Sequence, residues 1–323
     1  MGLRVERKQA RLGVLGQSNW FLLLGLLVAV SSAVGLAQKS EADSAHARTI
    51  SATLANPDFK QVLAAGHRGA LRQAPENTIP SFEKAIELGA DIIEIDVRIT
   101  RDGHFVIFHD DNVSRLTGEA GTIEEQTLAE VQQLAIQLAE FPGFPSLSIL
   151  TLEEAVRYLQ GRAIIYLDHK TGPVAQLVEE VVRLEATDHA YIVVRTPQAA
   201  REARAVSPDI YLMAAITAEE PVTLIDLFLP TRPALFELPS AYAYLVPENV
   251  QKLRGMGIRI FTSAMDTEAE QPYMTYQHLL YRGADVIITD HLEHLVPYLC
   301  AFNAARRAGH RPKPELAVPG CTN

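Results

Sequence analysis

Cysteine is nearly absent, with Cys300 and Cys321 the two examples in 323 residues. Neither stands in a zinc-ligand or nucleophile context, which removes thiol chemistry from consideration. In an oxidising compartment the two can pair and staple the C-terminal end, a pairing that the sequence leaves open. Excess positive charge is also missing. The chain carries a formal −10, and residues 1–37 contribute +3 (Arg4, Arg7, Lys8 and Arg11 against Glu6), which leaves −13 for the rest. Such acidity excludes a nucleic-acid surface, where a basic patch is needed. It also means that an anionic substrate requires local positive charge, and a bound metal ion is the obvious source.

Apolar runs are short except near the N-terminus. There a basic start precedes a mainly apolar stretch over 20–34, and Gly35, Leu36 and Ala37 place small residues before a cleavage point after Ala37. Residues 1–37 are therefore expected to be a signal peptide, or a membrane anchor if the leader is retained. In both cases the folded part is exported, periplasmic or extracellular, or held at the membrane. Residues 38–58 are polar without apolar periodicity and are read as a tether, 59–302 as the folded domain, and 303–323 as a basic, proline-containing tail of little structure.

Within the domain, short apolar runs alternate with amphipathic stretches. Eight strands are predicted at 62–66, 91–97, 163–167, 190–194, 210–214, 234–238, 258–262 and 285–288. Helices are predicted between them, among others at 79–88, 151–159, 173–185, 198–205 and 247–256. Repeated strand–helix units imply a parallel sheet with right-handed crossovers, and eight of them favour a closed (β/α)8 TIM barrel over an open doubly wound sheet. One segment departs from the repeat. Asp102-Gly103 turns the chain back, 104–108 reads as an extra hairpin strand, and 117–147 reads as a loop-and-helix insertion over the barrel mouth.

A barrel places functional groups at the C-terminal ends of its strands. There stand His67-Arg68, Glu94 and Asp96, His109-Asp110, Asp168-His169-Lys170 and Thr289-Asp290. Glu94 and Asp96, two apart on a strand, share one face, while Ile93, Ile95 and Val97 take the other. Paired acids inside a barrel are costly unless neutralised, and oxygen ligands suit Mg²⁺ or Ca²⁺, with Asp168 as a third carboxylate. Pairing to Arg68 or Lys170 is the plainer alternative. His67 and His109 close apolar strands at the same end, and imidazole suits both proton donor and acceptor work. His189, His278 and His291 read as surface or helix-end groups. Arg68 and Lys170 fit the holding of phosphate oxygens.

These residues sit in a run that resembles the glycerophosphodiester phosphodiesterase family. It comprises Gly66-His-Arg-Gly69, Pro75-Glu-Asn-Thr78 with Phe82 and Ala85, Gly89-Ala-Asp91, Glu94-Ile-Asp96-Val97, Thr100-Arg-Asp-Gly103, His109-Asp110, Arg115, Thr117 and Gly121. Weaker similarity continues through 152–154, 168–170 and 283–290. The resemblance implies a barrel, a divalent metal and cleavage of a small-molecule glycerophosphodiester to glycerol 3-phosphate and an alcohol. It makes His67 and His109 the acid/base pair, Glu94 and Asp96 metal ligands, and Arg68 and Lys170 the phosphate holders. Glu76 is then a support for Arg68, and Asp290 a supporting residue. Asp168 stands where the family usually has Glu, which places the metal deeper or admits a water. The family's Thr-Asp-x-Pro is Thr289-Asp-His-Leu292 here, and Phe261-Thr-Ser-Ala-Met-Asp266 also departs from its pattern. Both changes bear on substrate choice. The attacking group is water or the substrate's own glycerol hydroxyl. Two other readings remain: a lysophospholipase D or sphingomyelinase D-like enzyme, with Phe141, Phe144 and Leu147 lining an acyl groove, and an inactive membrane-tethered binding module.

Overall fold

The computed structural model describes Leu54 and residues 61–217, 223–240, 244–265, 268 and 270–310. The expected leader at 1–37, Cys321 and nearly all of the expected tether lie outside the described residues, among which no helix is long and apolar enough to cross a membrane.

In chain order the elements are β1 (Leu63–Gly66), α1 (Ile79–Glu87), β2 (Ile92–Ile99), β3 (Phe105–Ile107), α2 (Ser114–Thr117), α3 (Leu128–Val131), β4 (Ala135–Ile136), β5 (Leu147–Ser148), α4 (Leu152–Leu159) and β6 (Ile164–His169). They continue with α5 (Val174–Arg183), β7 (Ala190–Val194), α6 (Pro197–Val206), β8 (Tyr211–Ala215), α7 (Leu224–Phe228), a 3-10 turn, β9 (Leu235–Glu237), α8 (Pro247–Gly255), β10 (Arg259–Ser263), α9 (Pro272–Arg282), β11 (Val286–Thr289) and α10 (Leu292–Arg307). The main sheet runs β1-β11-β10-β9-β8-β7-β6-β2, closes through β1–β2, and carries β3 antiparallel on β2. Its eight parallel strands form the expected closed barrel.

Strand periodicity divides the core in two. Ile93, Ile95 and Val97 pack outward against the helices, whereas Ile92, Ile164, Tyr166, Val193, Leu235, Phe261 and Ile288 fill the barrel. Helix starts follow local chemistry. Thr78 caps α1 ahead of Pro80, and Thr151 forms a reciprocal capping box with Glu154 at α4.

Several expectations need correction. Leu54, inside the expected tether, is buried among the barrel-filling residues. The expected unstructured tail is helical at its start, since α10 runs to Arg307. Asn303 in that helix accepts from the Val62 N–H at 3.0 Å and donates to the Val62 carbonyl at 2.9 Å, so it satisfies the backbone just before β1. The insertion contains a hairpin, β4–β5, and buries Val113, Leu116, Ile123, Val131 and Ile136 with Val106 and Phe108 from the extra strand. His189, read as a surface group, is buried at the start of β7, where its carbonyl accepts from Ile165.

Candidate active site

Strands β1, β2, β6 and β11, with the extra strand β3, carry polar residues to the same end of the barrel. β1 ends at Gly66, where a Cβ would lie 2.5 Å from the Gly69 carbonyl oxygen, so the turn that follows closes only around glycine. Arg68 then takes a left-handed φ of 51°. Its backbone N–H thereby donates to Glu94 Oε2 at 2.7 Å, while its guanidinium donates to Glu76 Oε1 at 2.8 Å and lies 3.5 Å from Asp96 Oδ2. His67 turns Nδ1 onto Asp290 Oδ1 at 2.7 Å, just past β11. The extra strand β3 carries the chain back along β2, with Phe108 N–H on the Asp96 carbonyl, and sets His109 at the same end. His109 Nδ1 meets Asp110 Oδ1 at 2.7 Å, and Arg98, buried on β2, holds the His109 carbonyl.

One residue ties these parts together. Arg115 donates to both oxygens of Glu76 at 2.8 Å and to Asp110 Oδ2 at 2.6 Å. A continuous hydrogen-bond chain therefore runs from Arg68 through Glu76, Arg115 and Asp110 to His109. Glu76 sits below its ordinary range because Arg115 and Arg68 outweigh its burial. Asp110 is held at about 2, its partial burial overruled by Arg115 and His109. Asp290 is also lowered, against its burial, by His67 and Arg72. All three remain anionic hydrogen-bond acceptors at neutral pH.

Glu94, Asp96 and Asp168 form the centre. One oxygen from each lies within 4.8 Å of the others, and all three side chains are buried. Burial, then Asp96, then Asp168 pushes the Glu94 carboxyl well above its usual range. Asp168 is lowered despite burial, because Arg195 and Lys170 sit against it at 2.6 Å each. Lys170 Nζ also lies 3.0 Å from Asp96 Oδ1, yet off the hydrogen-bonding direction, leaving that buried oxygen without a hydrogen bond. Asn77, at φ 57°, donates to the other Asp96 oxygen at 2.8 Å.

A divalent ion fits this arrangement. The donors are hard oxygens, one buried carboxylate oxygen is unsatisfied, and burial with two neighbouring acids raises the Glu94 carboxyl, a penalty that added positive charge relieves. Glu237 adds a fourth buried carboxyl to the same mouth, near Lys170 and Arg195.

Of the nine residues singled out from the sequence, Arg68, Glu76, Glu94, Asp96, His109, Asp168 and Lys170 fall into one network of hydrogen bonds and ion pairs, and His67 with Asp290 forms a pair beside it, next to Arg68 in the chain. Sequence reasoning missed others. Arg195 follows inward Val193 by two residues, and Glu237 follows inward Leu235 by two, so strand periodicity alone points both into the mouth. Glu237 accepts from Tyr166 at 3.2 Å and is raised to about 7 by burial and Asp168. Glu268 accepts from the Asp290 N–H at 2.8 Å and from Tyr276 at 3.0 Å, bracing the segment that holds His67. Phe141 and Phe144 meet edge-on at 6.0 Å, with Phe144 exposed, while Leu147 packs on the insertion's own core.

Comparison with known proteins agrees with this picture. A family model described as the glycerophosphoryl diester phosphodiesterase family matches residues 67–294. A glycerophosphodiester phosphodiesterase of Caldanaerobacter subterraneus is 28% identical over 77% of this chain and 100% of its own length. One from Bacillus subtilis is 24% identical over 77% of this chain and 87% of its own. Among solved structures, a glycerophosphodiester phosphodiesterase from Agrobacterium tumefaciens superposes with a TM-score of 0.62 at 22% identity, covering 72% of this chain and 98% of that one. An Oleispira antarctica phosphodiesterase solved with the product sn-glycerol-3-phosphate gives 0.62 at 24% identity, covering 72% and 94%. With its described barrel closed and the matched segment spanning both strand-end histidines and the carboxylate centre, the chain belongs to the glycerophosphoryl diester phosphodiesterase family.

Proposed function

We propose that this chain hydrolyses glycerophosphodiesters to glycerol 3-phosphate and an alcohol, with Ca²⁺ or Mg²⁺ held by Glu94, Asp96 and Asp168 and with His67 and His109 as the acid/base pair. The observation that carries the reading is the joint geometry: two imidazoles, each anchored at Nδ1 by a carboxylate, beside a buried three-carboxylate centre. Anchoring Nδ1 on Asp290 and Asp110 leaves each Nε2 free to exchange a proton with substrate. One imidazole accepts the proton of the attacking hydroxyl, and the other donates to the departing alkoxide. Arg68 holds a phosphate oxygen while Glu76 fixes its guanidinium, and Lys170 adds a compact charge beside the acids. When bound, the metal supplies positive charge at the phosphate oxygens.

The acyl-groove readings lose one of their three supports, because Leu147 is committed to the insertion's core. An inactive binding module does not require two independently anchored histidines. The assay is direct: purified residues 38–323 with glycerophosphocholine, with and without a chelator. Release of glycerol 3-phosphate that stops on chelation and returns with Ca²⁺ or Mg²⁺ supports the proposal, and metal-indifferent release removes the metal from it. Cyclic glycerophosphate under rapid quench indicates attack by the substrate's own hydroxyl, and its absence indicates water. We further propose export, tested by cell fractionation and N-terminal sequencing: a start after Ala37 indicates a cleaved signal, an intact leader in membranes indicates an anchor, and an intact chain in the cytoplasm refutes export.

A further inference from the structure

The loop after β11 gathers a second donor set of different chemistry. His291 stands at the start of α10, with Glu293 and His294 in the first turn. One donor atom from each lies within 4.8 Å of the others. His291 Nδ1 is 3.1 Å from Glu293 Oε1, and the two imidazole rings stack with centroids 5.5 Å apart and planes 12° from parallel. Glu293 is fixed from its other side, where Oε2 accepts from Gln73 Nε2 at 2.9 Å. An ordinary hydrogen bond accounts for His291 and Glu293. It does not account for His294, whose Nδ1 is buried without any partner.

We infer that His291, Glu293 and His294 form a second cation site, for a borderline transition metal such as Zn²⁺, with a fourth position open to water. Two imidazole nitrogens and one carboxylate oxygen are a zinc-type set with an open position, whereas the all-oxygen centre of Glu94, Asp96 and Asp168 suits a harder ion. Binding takes His291 Nδ1 as its ring proton moves to Nε2, so the hydrogen bond to Glu293 becomes a shared ligation. Gln73 acts as the outer support that keeps the Glu293 carboxylate turned to the site. The N-terminal end of α10 opposes a cation, but only as a partial charge screened by solvent.

Cobalt(II) reports the site without relying on catalysis. The full chain, kept in excess Ca²⁺ to occupy the oxygen centre, is titrated with Co²⁺ and followed by its visible d–d absorption. The site predicts one equivalent bound with a nitrogen-ligated spectrum that Zn²⁺ displaces. It predicts at least ~10-fold weaker binding in His294→Ala and His291→Ala, and an unchanged spectrum in Glu94→Gln. Should His294→Ala fail to fold by circular dichroism, His294→Gln and Glu293→Gln read the same loss. Unchanged binding in correctly folded His291 and His294 variants, or no Co²⁺ uptake in excess Ca²⁺, overturns the inference. Absent hydrolysis with an intact cobalt spectrum counts against the phosphodiesterase reading alone.

Discussion

Asp290 touches no substrate in this account, yet it sets which nitrogen of His67 faces the reaction. Asp290→Asn keeps the size of the side chain but offers the ring a mixed donor and acceptor. It is expected to lower kcat by ~10–100-fold with little change in KM, measured by steady-state kinetics at saturating metal. A matching rise in KM with kcat unchanged would make Asp290 a binding residue. Glu237 gives a pH prediction. Its carboxyl ordinarily titrates near ~4.3 and is raised to about 7 by burial and Asp168. Between those values the folded chain keeps a proton that the unfolded chain has lost, so Glu237 weakens the metal-free fold as pH rises through the window. Glu237→Gln is expected to raise the melting temperature of metal-free protein by little near pH 5 and by several degrees near pH 8. An equal gain at both pH values rejects the assignment. Asp110 has the opposite sign: its stabilisation is complete above the usual carboxylate range and is lost as pH falls towards about 2.

The elements show what the sequence made legible and what it hid. β7 was readable to the residue, and the alternation in β2 showed which face Glu94 and Asp96 share, because both facts are local. Arg195 escaped because the apolar run stops one residue short of it, although the inward period continues. Glu237 escaped because it sits inside the apolar strand run 234–238 rather than at its end. Its meaning depends on Asp168 and Arg195 from other strands. The hairpin β4–β5 is two residues per strand, too short for any period to appear. Asn303 was hidden by distance, since its partner Val62 lies 241 residues away. Asn303→Ala leaves both backbone groups of Val62 unpaired at the barrel's seam. A loss of ~1–3 kcal/mol in urea denaturation is expected, with kcat unchanged. No loss would mean that water replaces the amide.

At the scale of the whole molecule, the barrel concentrates acids from β2, β6 and β9 in one mouth; Arg195 and Lys170 answer Asp168, while Glu94 and Glu237 are raised and oppose folding until more positive charge enters. Function and stability are thereby set against each other at Glu94. The most direct measurement is the melting temperature of wild type and Glu94→Gln, each with chelator and with excess Ca²⁺. Glu94→Gln is predicted to melt above wild type in chelator, since it removes a carboxyl that burial, Asp96 and Asp168 hold well above its usual range. Wild type is predicted to gain several degrees with Ca²⁺, equivalent to ~2.7 kcal/mol at a hundred times its dissociation constant, and Glu94→Gln to gain almost nothing. Equal calcium responses in the two proteins would contradict a metal centre built on Glu94.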